Sequence, residues 1–482
     1  MPIFWSLGDH PIQGDSEARY GVIARAMARG ESPLLVPHLF GDPHLTKPPL
    51  TYWLMAASIR LLGDGELGLR MPAALSGAAA LGVCFAFARR RYGRGTAVLA
   101  TATLSVTPLF VAMSRLGTTD SHLGLFCSAA LAAGVLAVRE RRRRWAACLW
   151  AATALGLLTK GPAALLPAAA LTLWVAWRRP AGGLKALRLG AGLPLSLLPL
   201  GLWAGWVAWA RPEAWAVWRF ETFSRAAGTG DHPEPWWFFG PVALFGLLPS
   251  SVALSVWLWK WWRATKHGQA LGGALRPGMN SDHLRADAPI WGVMLVLTFV
   301  VFSCIRGKLM SYLLPMAFPA AMVFSYLITY KIIRYKLDVL ATNSAAYGLK
   351  AVWTLALLAL VVFTIVEDKY FGTHPPAELV DQVRRHTGLA HPVIYSLGFI
   401  DRRLPYYTDR PTRRLDPRVM PEAWKKLPKE DLVLVATPSK WEFFAADPNW
   451  DLTQRYERLD LELRLGHDPP PLRAYRIRPE FW

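Results

Sequence analysis

Charged residues are scarce in this sequence of 482 residues, and acidic residues are scarcer than basic ones. Only 18% of the residues are charged, with 34 Asp and Glu against 54 Lys and Arg, whereas 53% are hydrophobic. The mean hydropathy is +0.23. Soluble globular chains carry nearer a quarter charged residues, and long apolar stretches indicate membrane spans. The composition therefore excludes a set of ordinary soluble domains and predicts an integral membrane protein.

Cysteine is equally scarce. The four cysteines are Cys84, Cys127, Cys148 and Cys304. All four lie in or beside apolar stretches, and the sequence has neither a CxxC motif nor a Cys/His cluster. This pattern argues against a disulfide framework and against a zinc site built from cysteines.

The net charge of +20 does not indicate a nucleic-acid partner, because the basic residues stand in short clusters between apolar stretches. The clusters are Arg89–Arg91 with Arg94, Arg139 with Arg141–Arg144, Arg178 and Arg179 with Lys185 and Arg188, Lys260 with Arg263 and Lys266, and Lys331 with Arg334 and Lys336. Every second loop is basic, which places these loops in the cytoplasm by the positive-inside rule. Residues 1–71, loop 210–237 and everything after about residue 367 are then expected to face outward.

Apolar windows of 18 to 22 residues predict about ten transmembrane helices. They lie near residues 72–88, 96–113, 121–138, 145–159, 162–177, 188–209, 238–259, 289–304, 309–330 and 349–366. The predicted fold class is an all-α polytopic membrane protein with interfacial helices and a small α/β domain at the C-terminus.

Three regions follow from this pattern: an outer first loop over 1–71, a transmembrane helical domain over 72–366 and a soluble domain over 367–482. Within the first loop, Glu17–Arg29 and Leu50–Leu62 have the pattern of helices that lie in the membrane interface. Short β-like stretches occur at Val393–Ser396, Leu432–Ala436 and Arg473–Ile477. An outward first loop needs a preceding helix, so we expect one upstream of Met1.

Charged side chains gather at the predicted outer ends of the helices. The candidate residues are Asp15, Glu17, Lys47, Arg115, Asp120, Lys160 and Lys308, with Glu221, Arg225, Asp231 and His232 in loop 210–237. Charges there are costly unless they are paired or used. A carboxylate can accept a proton from an acceptor hydroxyl, and Lys or Arg can hold a departing phosphate. This combination suits sugar transfer from a lipid-linked phosphate at the membrane surface.

Simpler interpretations exist for each residue taken alone. Outer carboxylates are commonly solvated loop charges, Lys160 beside Gly161-Pro162 can be a snorkelling side chain in a turn, and His232 lies beside tryptophans that anchor at the interface. A transporter or flippase of lipid-linked sugars is the alternative function, and a non-catalytic envelope assembly protein is another. A transporter would place charges near the bilayer midplane, whereas this sequence places them at helix ends.

An ordered set of motifs resembles the GT-C glycosyltransferases that use polyprenyl-phosphate sugar donors, in the branch of the lipid A aminoarabinose transferases and protein O-mannosyltransferases. The motifs, spread over residues 10–330, are Glu17-Ala18-Arg19-Tyr20, Val36-Pro37-His38, Lys47-Pro48-Pro49 with Tyr52-Trp53, Arg70-Met71-Pro72, Arg115 with Thr118-Thr119-Asp120, Thr159-Lys160-Gly161-Pro162, Pro235-Trp236-Trp237-Phe238, and Gly307-Lys308 with Tyr312 and Pro315.

The resemblance implies an undecaprenyl-phosphate-linked donor and an acceptor such as lipid A, another glycolipid or a protein. It also implies a site on the periplasmic side of the bacterial inner membrane. The donor-phosphate region would be lined by Arg19, Tyr20, Lys47, Lys160, Lys308 and Tyr312, and Asp15, Glu17 and Asp120 would be the catalytic candidates. Acidic residues are available for a divalent metal, but no ligand spacing is diagnostic.

The sequence departs from this family pattern at two positions. Ser16 stands where the family has the acid of the first loop, so the catalytic acid is either Asp15 or Glu17, with Asp15 preferred. Thr46 stands where an acid ordinarily precedes the loop lysine, which removes a candidate contact to a metal or a sugar amine and weakens aminoarabinose as the sugar.

Overall fold

The computed structural model is predominantly helical. It describes residues 2–180, 182–220, 234–266, 279–334, 354, 376–397, 404–410, 413–415, 432–436, 457–463 and 472–477. Its helices are α1 (Gly14–Arg29), α2 (Leu50–Leu62), α3 (Glu66–Tyr92), α4 (Arg94–Ser105), α5 (Pro108–Ser114), α6 (Asp120–Glu140), α7 (Arg143–Lys160), α8 (Leu166–Arg178), α9 (Gly183–Leu187), α10 (Leu189–Ala210), α11 (Ala214–Arg219), α12 (Phe239–Gly246), α13 (Ser250–Lys266), α14 (Met279–Ser303), α15 (Ala317–Arg334), α16 (Pro376–Thr387) and α17 (Leu404–Thr408). Its strands are β1 (His38–Leu39), β2 (Asp42–Pro43), β3 (Val393–Leu397), β4 (Arg413–Leu415), β5 (Leu432–Ala436), β6 (Glu457–Leu463) and β7 (Leu472–Ile477).

Six helical stretches within the described residues are long and apolar enough to cross a membrane, or eight if each of two bent helix pairs is one span. The six are Glu66–Tyr92, Asp120–Glu140, Arg143–Arg178, Gly183–Ala210, His283–Ser303 and Met310–Ile328. The chain is therefore a polytopic helical membrane protein. Of the ten predicted spans, the one at 349–366 lies outside the described residues apart from Thr354.

The longest stretch, Arg143–Arg178, reverses direction near its middle. Lys160, at the end of α7, forms an ion pair with Asp120 at the start of α6. Trp174, on α8, lies under the guanidinium of Arg139 near the end of α6, at 5.1 Å. The chain therefore travels the length of α6 twice, in opposite directions. Gly161 has a φ of +65° at the turn, a conformation that favours glycine. This reversal agrees with the prediction of two separate spans at 145–159 and 162–177.

Two spans that the sequence predicts as single helices are bent. The stretch 96–113 is divided into α4 and α5, which meet at 66°, and 238–259 is divided into α12 and α13, which meet at 108°. Pro108 is the first residue of α5, and Pro249 stands directly before α13. Because proline has no backbone N–H and clashes with the preceding helical turn, a helix tends to end before it.

The first segment contains the two predicted helices, and they pack against each other. The buried side chains of α1 that face α2 include Tyr20, Ile23 and Met27, and those of α2 include Tyr52 and Met55. Between the two helices, β1 and β2 form a short antiparallel hairpin. That these helices lie in the membrane interface remains a prediction.

Tryptophan indoles hold this hairpin segment against the helix bundle. Their N–H groups donate to backbone carbonyls, from Trp53 to Leu34 at 2.7 Å, from Trp203 to Leu35 at 2.8 Å and from Trp218 to Leu45 at 2.8 Å. Trp203 and Trp218 belong to α10 and α11. The loop that leads to Lys47 is therefore fixed to these two helices as well as to α2.

The C-terminal strands form a mixed five-stranded sheet in the order β4-β3-β5-β7-β6. The pairs β3–β4 and β3–β5 are parallel, and β5–β7 and β6–β7 are antiparallel. Strands form at all three predicted stretches. A small core joins Val380 and Val383 of α16 to Ile394 and Val433 of the sheet. The domain boundary near 367 falls outside the described residues and stays a prediction.

A buried carboxylate fastens α3, α6 and α14 together at the end of the bundle where α6 ends, which we call the far end. The Asp287 carboxylate accepts hydrogen bonds from Arg91 at 2.8 Å, Arg139 at 2.6 Å and the Tyr92 hydroxyl at 3.0 Å. Asp287 is fully buried. Two arginines that converge on one buried acid would repel each other without it.

Replacing Asp287 tests this contribution. We expect Asp287→Asn to lower the free energy of unfolding by about 3–5 kcal/mol, because two arginines lose a buried counter-charge. Thermal unfolding of purified protein in detergent measures the change.

The matched control is Glu140→Gln, which breaks an ion pair with Arg90 at the same end of the bundle, where Arg90 is 43% exposed. An exposed pair of this kind contributes about 0–1 kcal/mol. Equal losses in the two variants would contradict the role given to Asp287.

Candidate active site

An acid and a base meet at the opposite end of the bundle, which we call the site end. The Lys160 ammonium donates to the Asp120 carboxylate. Asp120 is the first residue of α6 and Lys160 is the last residue of α7. A carboxylate is stabilised at a helix N-terminus and an ammonium at a helix C-terminus, so both helix dipoles favour this pair. The sequence predicted both residues as site residues.

Neighbouring hydroxyls and a tyrosine ring complete the surroundings of this pair. The Thr118 hydroxyl donates to Asp120 at 3.2 Å, and the Ser311 hydroxyl is also hydrogen-bonded to this carboxylate. The Lys160 Nζ lies 5.1 Å from the centre of the Tyr312 ring, in a cation–π contact. The structure thus brings Tyr312 to Lys160 from a distant part of the chain.

The first segment reaches the same pair through a line of aromatic side chains. The buried Tyr20 hydroxyl is hydrogen-bonded to Thr119 and lies within electrostatic range of Lys160 and Asp120. Burial raises the pKa of Tyr20, against the opposing effect of the Lys160 charge. The Tyr20 ring contacts Tyr52 edge-on at 5.4 Å, and Tyr52 contacts the His44 ring at 6.2 Å.

Two cations of the first segment stand next to His44. Arg19 and Lys47 both act electrostatically on this imidazole, which is also hydrogen-bonded to the Thr46 hydroxyl at 2.7 Å. Arg19 forms an ion pair with Asp15 at 3.4 Å, and both side chains are about one third exposed. The predicted residues Asp15, Arg19, Tyr20, Lys47, Asp120, Lys160 and Tyr312 therefore belong to one continuous group.

Glu17 has a different environment, because it is fully buried and both of its carboxylate oxygens are engaged. Arg70 binds it bidentately at 2.8 and 3.0 Å. The backbone N–H groups of Gly117 and Gln13 donate to it at 2.7 and 2.6 Å. A Cβ on Gly117 would lie 2.8 Å from a Leu69 side-chain carbon, so only glycine permits this close approach. Glu17 fastens α1 to α3 and to the turn before α6.

Two other predicted residues have backbone partners away from the Asp120–Lys160 pair. Lys308 is buried and donates to the Glu234 carbonyl at 3.0 Å. Arg115 donates to the carbonyls of Pro2 and Trp5 at 2.9 and 2.5 Å. The remaining predicted residues Glu221, Arg225, Asp231 and His232 lie outside the described residues.

Sequence reasoning missed two residues of this region. His44 stands three residues before Lys47, and the β1–β2 hairpin places its ring against Tyr52. Arg70 was noted only as part of a motif, but besides Glu17 it binds the carbonyls of Leu7, His10 and Pro11. The available signal was an arginine close to the start of an apolar helix, because a charge in that position needs a partner.

No group of three or more His, Cys, Asp or Glu side chains that could hold a metal ion occurs within the described part of the chain. The metal requirement left open by the sequence therefore gains no candidate ligand set from these residues.

Comparisons with known proteins confirm the resemblance to glycosyltransferases that use polyprenyl-phosphate donors. Residues 46–209 match the family described as dolichyl-phosphate-mannose-protein mannosyltransferase. The whole chain superposes on the crystal structure of apo ArnT from Cupriavidus metallidurans with a TM-score of 0.74 and 19% identity, covering 96% of that chain. The same protein bound to undecaprenyl phosphate gives a TM-score of 0.70 at 20% identity, with 98% of this chain and 96% of that chain covered.

Among proteins of named activity, the chain is similar to undecaprenyl phosphate-α-4-amino-4-deoxy-L-arabinose arabinosyl transferase 1 of Pseudomonas fluorescens. The two are 26% identical over 377 residues, which is 76% of this chain and 62% of the relative. This chain thus spans less than two thirds of the length of that relative.

We predict that Glu17→Gln destabilises the protein by about 3–5 kcal/mol, since it leaves the buried Arg70 without its counter-charge. Asp15→Asn is the matched control, because its partly exposed ion pair contributes about 0–1 kcal/mol. Thermal unfolding of both variants in detergent makes the comparison, and a stable Glu17→Gln protein would contradict the structural role of this acid.

His44 makes the stability pH-dependent. Burial, with Arg19 and Lys47 nearby, lowers the pKa of His44 from 6.5 to about 4. Protonation then favours the unfolded chain between these two values, so the free energy of unfolding decreases as the pH falls from 6.5 to about 4. The loss is about 3 kcal/mol, because one unit of pKa corresponds to about 1.4 kcal/mol.

We expect His44→Gln to remove this component, because glutamine does not titrate and can still hydrogen-bond to Thr46. Unfolding curves at several pH values test this, with His38→Gln as a control on the same hairpin. An unchanged pH dependence in His44→Gln would be inconsistent with a partly buried imidazole that is neutral in the folded protein.

Proposed function

We propose that this protein is a membrane glycosyltransferase that moves a sugar from a polyprenyl-phosphate donor, with undecaprenyl phosphate as the carrier, to an envelope acceptor such as lipid A, another glycolipid or a protein. The observation that carries the proposal is the continuous group at the site end. It joins the partly buried Lys160 and its partner Asp120 to Tyr312, Tyr20 and the cations of the first segment. The likeness to ArnT, solved with undecaprenyl phosphate, and to the arabinosyl transferases supports it.

The donor phosphate is held by the cations and tyrosines of this group. Lys160, Lys47 and Arg19 supply positive charge, and Tyr20 and Tyr312 contribute phenolic hydroxyls. Charge-assisted hydrogen bonds to a phosphate are stronger than neutral ones, and they strengthen further as charge develops on the leaving oxygen. Asp120 keeps the Lys160 ammonium oriented through its ion pair.

The reaction needs one proton acceptor. Asp15 takes the proton of the acceptor hydroxyl, the acceptor oxygen forms a bond to the anomeric carbon, and the bond from that carbon to the phosphate oxygen breaks. The lipid phosphate departs as an anion, so no general acid is required. Asp15 fits this role because its side chain is accessible, whereas both carboxylate oxygens of Glu17 are engaged by buried protein donors.

The remaining predicted residues have positioning roles in this proposal. Lys308 fixes the backbone before Pro235-Trp236-Trp237, and Arg115 fixes the N-terminal segment. Glu221, Arg225 and His232 stay predictions as acceptor or donor contacts. The site and the C-terminal domain face the periplasm from the inner membrane, as the basic clusters in alternate loops predict.

The flippase alternative is not favoured. Within the described residues, the buried charged side chains of the spans lie near the two ends of the bundle. Arg70 and Asp120 lie at the site end, and Asp287 lies at the far end beside Arg91 and Arg139. Transporters of lipid-linked substrates characteristically place such groups on broken helices near the midplane. The charge distribution suits chemistry at the membrane surface better than passage through it.

Sugar transfer from a panel of undecaprenyl-phosphate sugars, measured with the purified full chain in lipid nanodiscs, tests the proposal. We expect Asp15→Asn to lower kcat by about 10²–10⁴-fold, since general base catalysis contributes this much. Asp42→Asn, which changes an exposed acid of the same segment, should leave transfer unchanged.

The possible outcomes separate the hypotheses. Glu17 would be the base if Asp15→Asn kept full sugar transfer and a folded Glu17→Gln protein lost it. No transfer with any donor, but donor-dependent lipid movement in vesicles, would replace the enzyme by a flippase.

A further inference from the structure

The short helix α17, far along the chain from the first segment, lies against α1 and carries two adjacent tyrosines. Tyr406 is buried in the same apolar cluster as Tyr20 and Ile23. Tyr407 packs partly against that cluster and partly against the small core of the C-terminal sheet. One turn of helix therefore joins the sheet region to the helix that bears Asp15 and Arg19.

The Tyr407 hydroxyl uses both its donor and its acceptor capacity on the first segment. It accepts a hydrogen bond from the Ile12 N–H at 2.7 Å and donates to the Glu66 carboxylate at 2.9 Å. Ile12 stands directly before Gln13, whose own N–H is bound by Glu17. The hydroxyl thus fixes the backbone three residues ahead of Asp15 and ties it to the first residue of α3.

Charged side chains on α1, just after α17 and just before α3 strengthen this contact. Arg25 donates to the Tyr406 carbonyl at 2.6 Å, and its guanidinium lies 4.2 Å from the centre of the Tyr406 ring. Arg29 pairs with Asp409, and both arginines pair with Asp64. The neighbouring cations hold the pKa of Asp409 below its usual value, against the effect of its partial burial.

We propose that Tyr407 is a positioning residue for the active site, which sets the place of Asp15 by fixing the start of α1. This inference rests on the proposed function. Displacement of a catalytic group by about 1 Å can cost on the order of 10²-fold in rate, so one hydrogen bond at this point has consequences for turnover.

The chain offers a matched pair of variants. Tyr407→Phe removes a hydroxyl with two partners. Tyr406→Phe removes the hydroxyl of the adjacent tyrosine, which is buried and has no hydrogen-bond partner within the described residues. Both keep the ring and its packing, so they differ in the hydrogen bonds alone.

We expect Tyr407→Phe to lower kcat by about 10-fold or more while the KM for the lipid donor stays within about twofold, because the phosphate contacts are intact. Tyr406→Phe should behave as the parent protein. Glu66→Gln, whose amide oxygen can still accept from Tyr407, should retain most of the turnover, and Glu66→Leu should resemble Tyr407→Phe.

Hydrogen exchange provides a readout that needs no sugar transfer. The amides of residues 12–17 should exchange faster in Tyr407→Phe than in the parent, and no faster in Tyr406→Phe. Unchanged exchange there would overturn the positioning role even if no donor supports transfer. The positioning role would also be overturned if Tyr407→Phe had the same kcat as Tyr406→Phe. It would be overturned as well if the decrease in kcat were fully explained by a smaller fraction of folded protein. Absence of transfer in the parent protein would count against the proposed function alone.

Discussion

The buried salt bridge between Glu17 and Arg70 is the interaction on which the arrangement of the site end depends. It joins helix α1 to helix α3 and, through the Gly117 N–H, to the turn that precedes α6. Arg70 extends the connection to three carbonyls of the N-terminal residues. The guanidinium of Arg70 thus donates hydrogen bonds to carboxylate and carbonyl oxygens. A buried charge needs such partners, because the interior of a membrane protein has a low dielectric constant.

The same constraint explains where the other charges lie. At the site end Asp120 and Lys160 are paired at the termini of two antiparallel helices, and at the far end Asp287 neutralises two arginines. Both pairings lie at an end of the bundle, where the nearby headgroup region reduces the cost of charge, and the helix dipoles of α6 and α7 also favour the Asp120–Lys160 pair. A site built on such termini does not place charge at the bilayer centre.

Helix α1 is held from three sides. Glu17 fixes its first turns to the bundle, Tyr20 faces the Asp120–Lys160 pair, and Arg25 and Arg29 hold α17 of the C-terminal region. Asp15 and Arg19, by contrast, are partly exposed. A helix that is held in this way and presents a partly exposed acid and a partly exposed cation is suited to a reaction in which the phosphate and the acceptor hydroxyl must be aligned.

Much of this molecule could be predicted from local sequence patterns. Hydropathy located most of the spans, periodicity located α1 and α2, alternation located the strands at Val393, Leu432 and Leu472, and the order of the motifs indicated the GT-C fold. These features depend on residues close together in the chain, where the periods of helix and strand are directly visible. Local patterns also indicated Lys160 and Asp120 as site residues, because a charge beside an apolar stretch needs a reason.

Only the tertiary structure decided which acid is accessible and which is structural. Glu17 and Asp15 are two residues apart, but Glu17 is occupied by Arg70, 53 residues away, and by Gly117, 100 residues away. The contact of Tyr407 with Ile12 spans 395 residues. Such pairings arise from the packing of whole helices rather than from a repeating pattern, so no local window contains both partners. For the same physical reason His44, which depends on the hairpin and on Tyr52 for its place, carried no signal in the sequence.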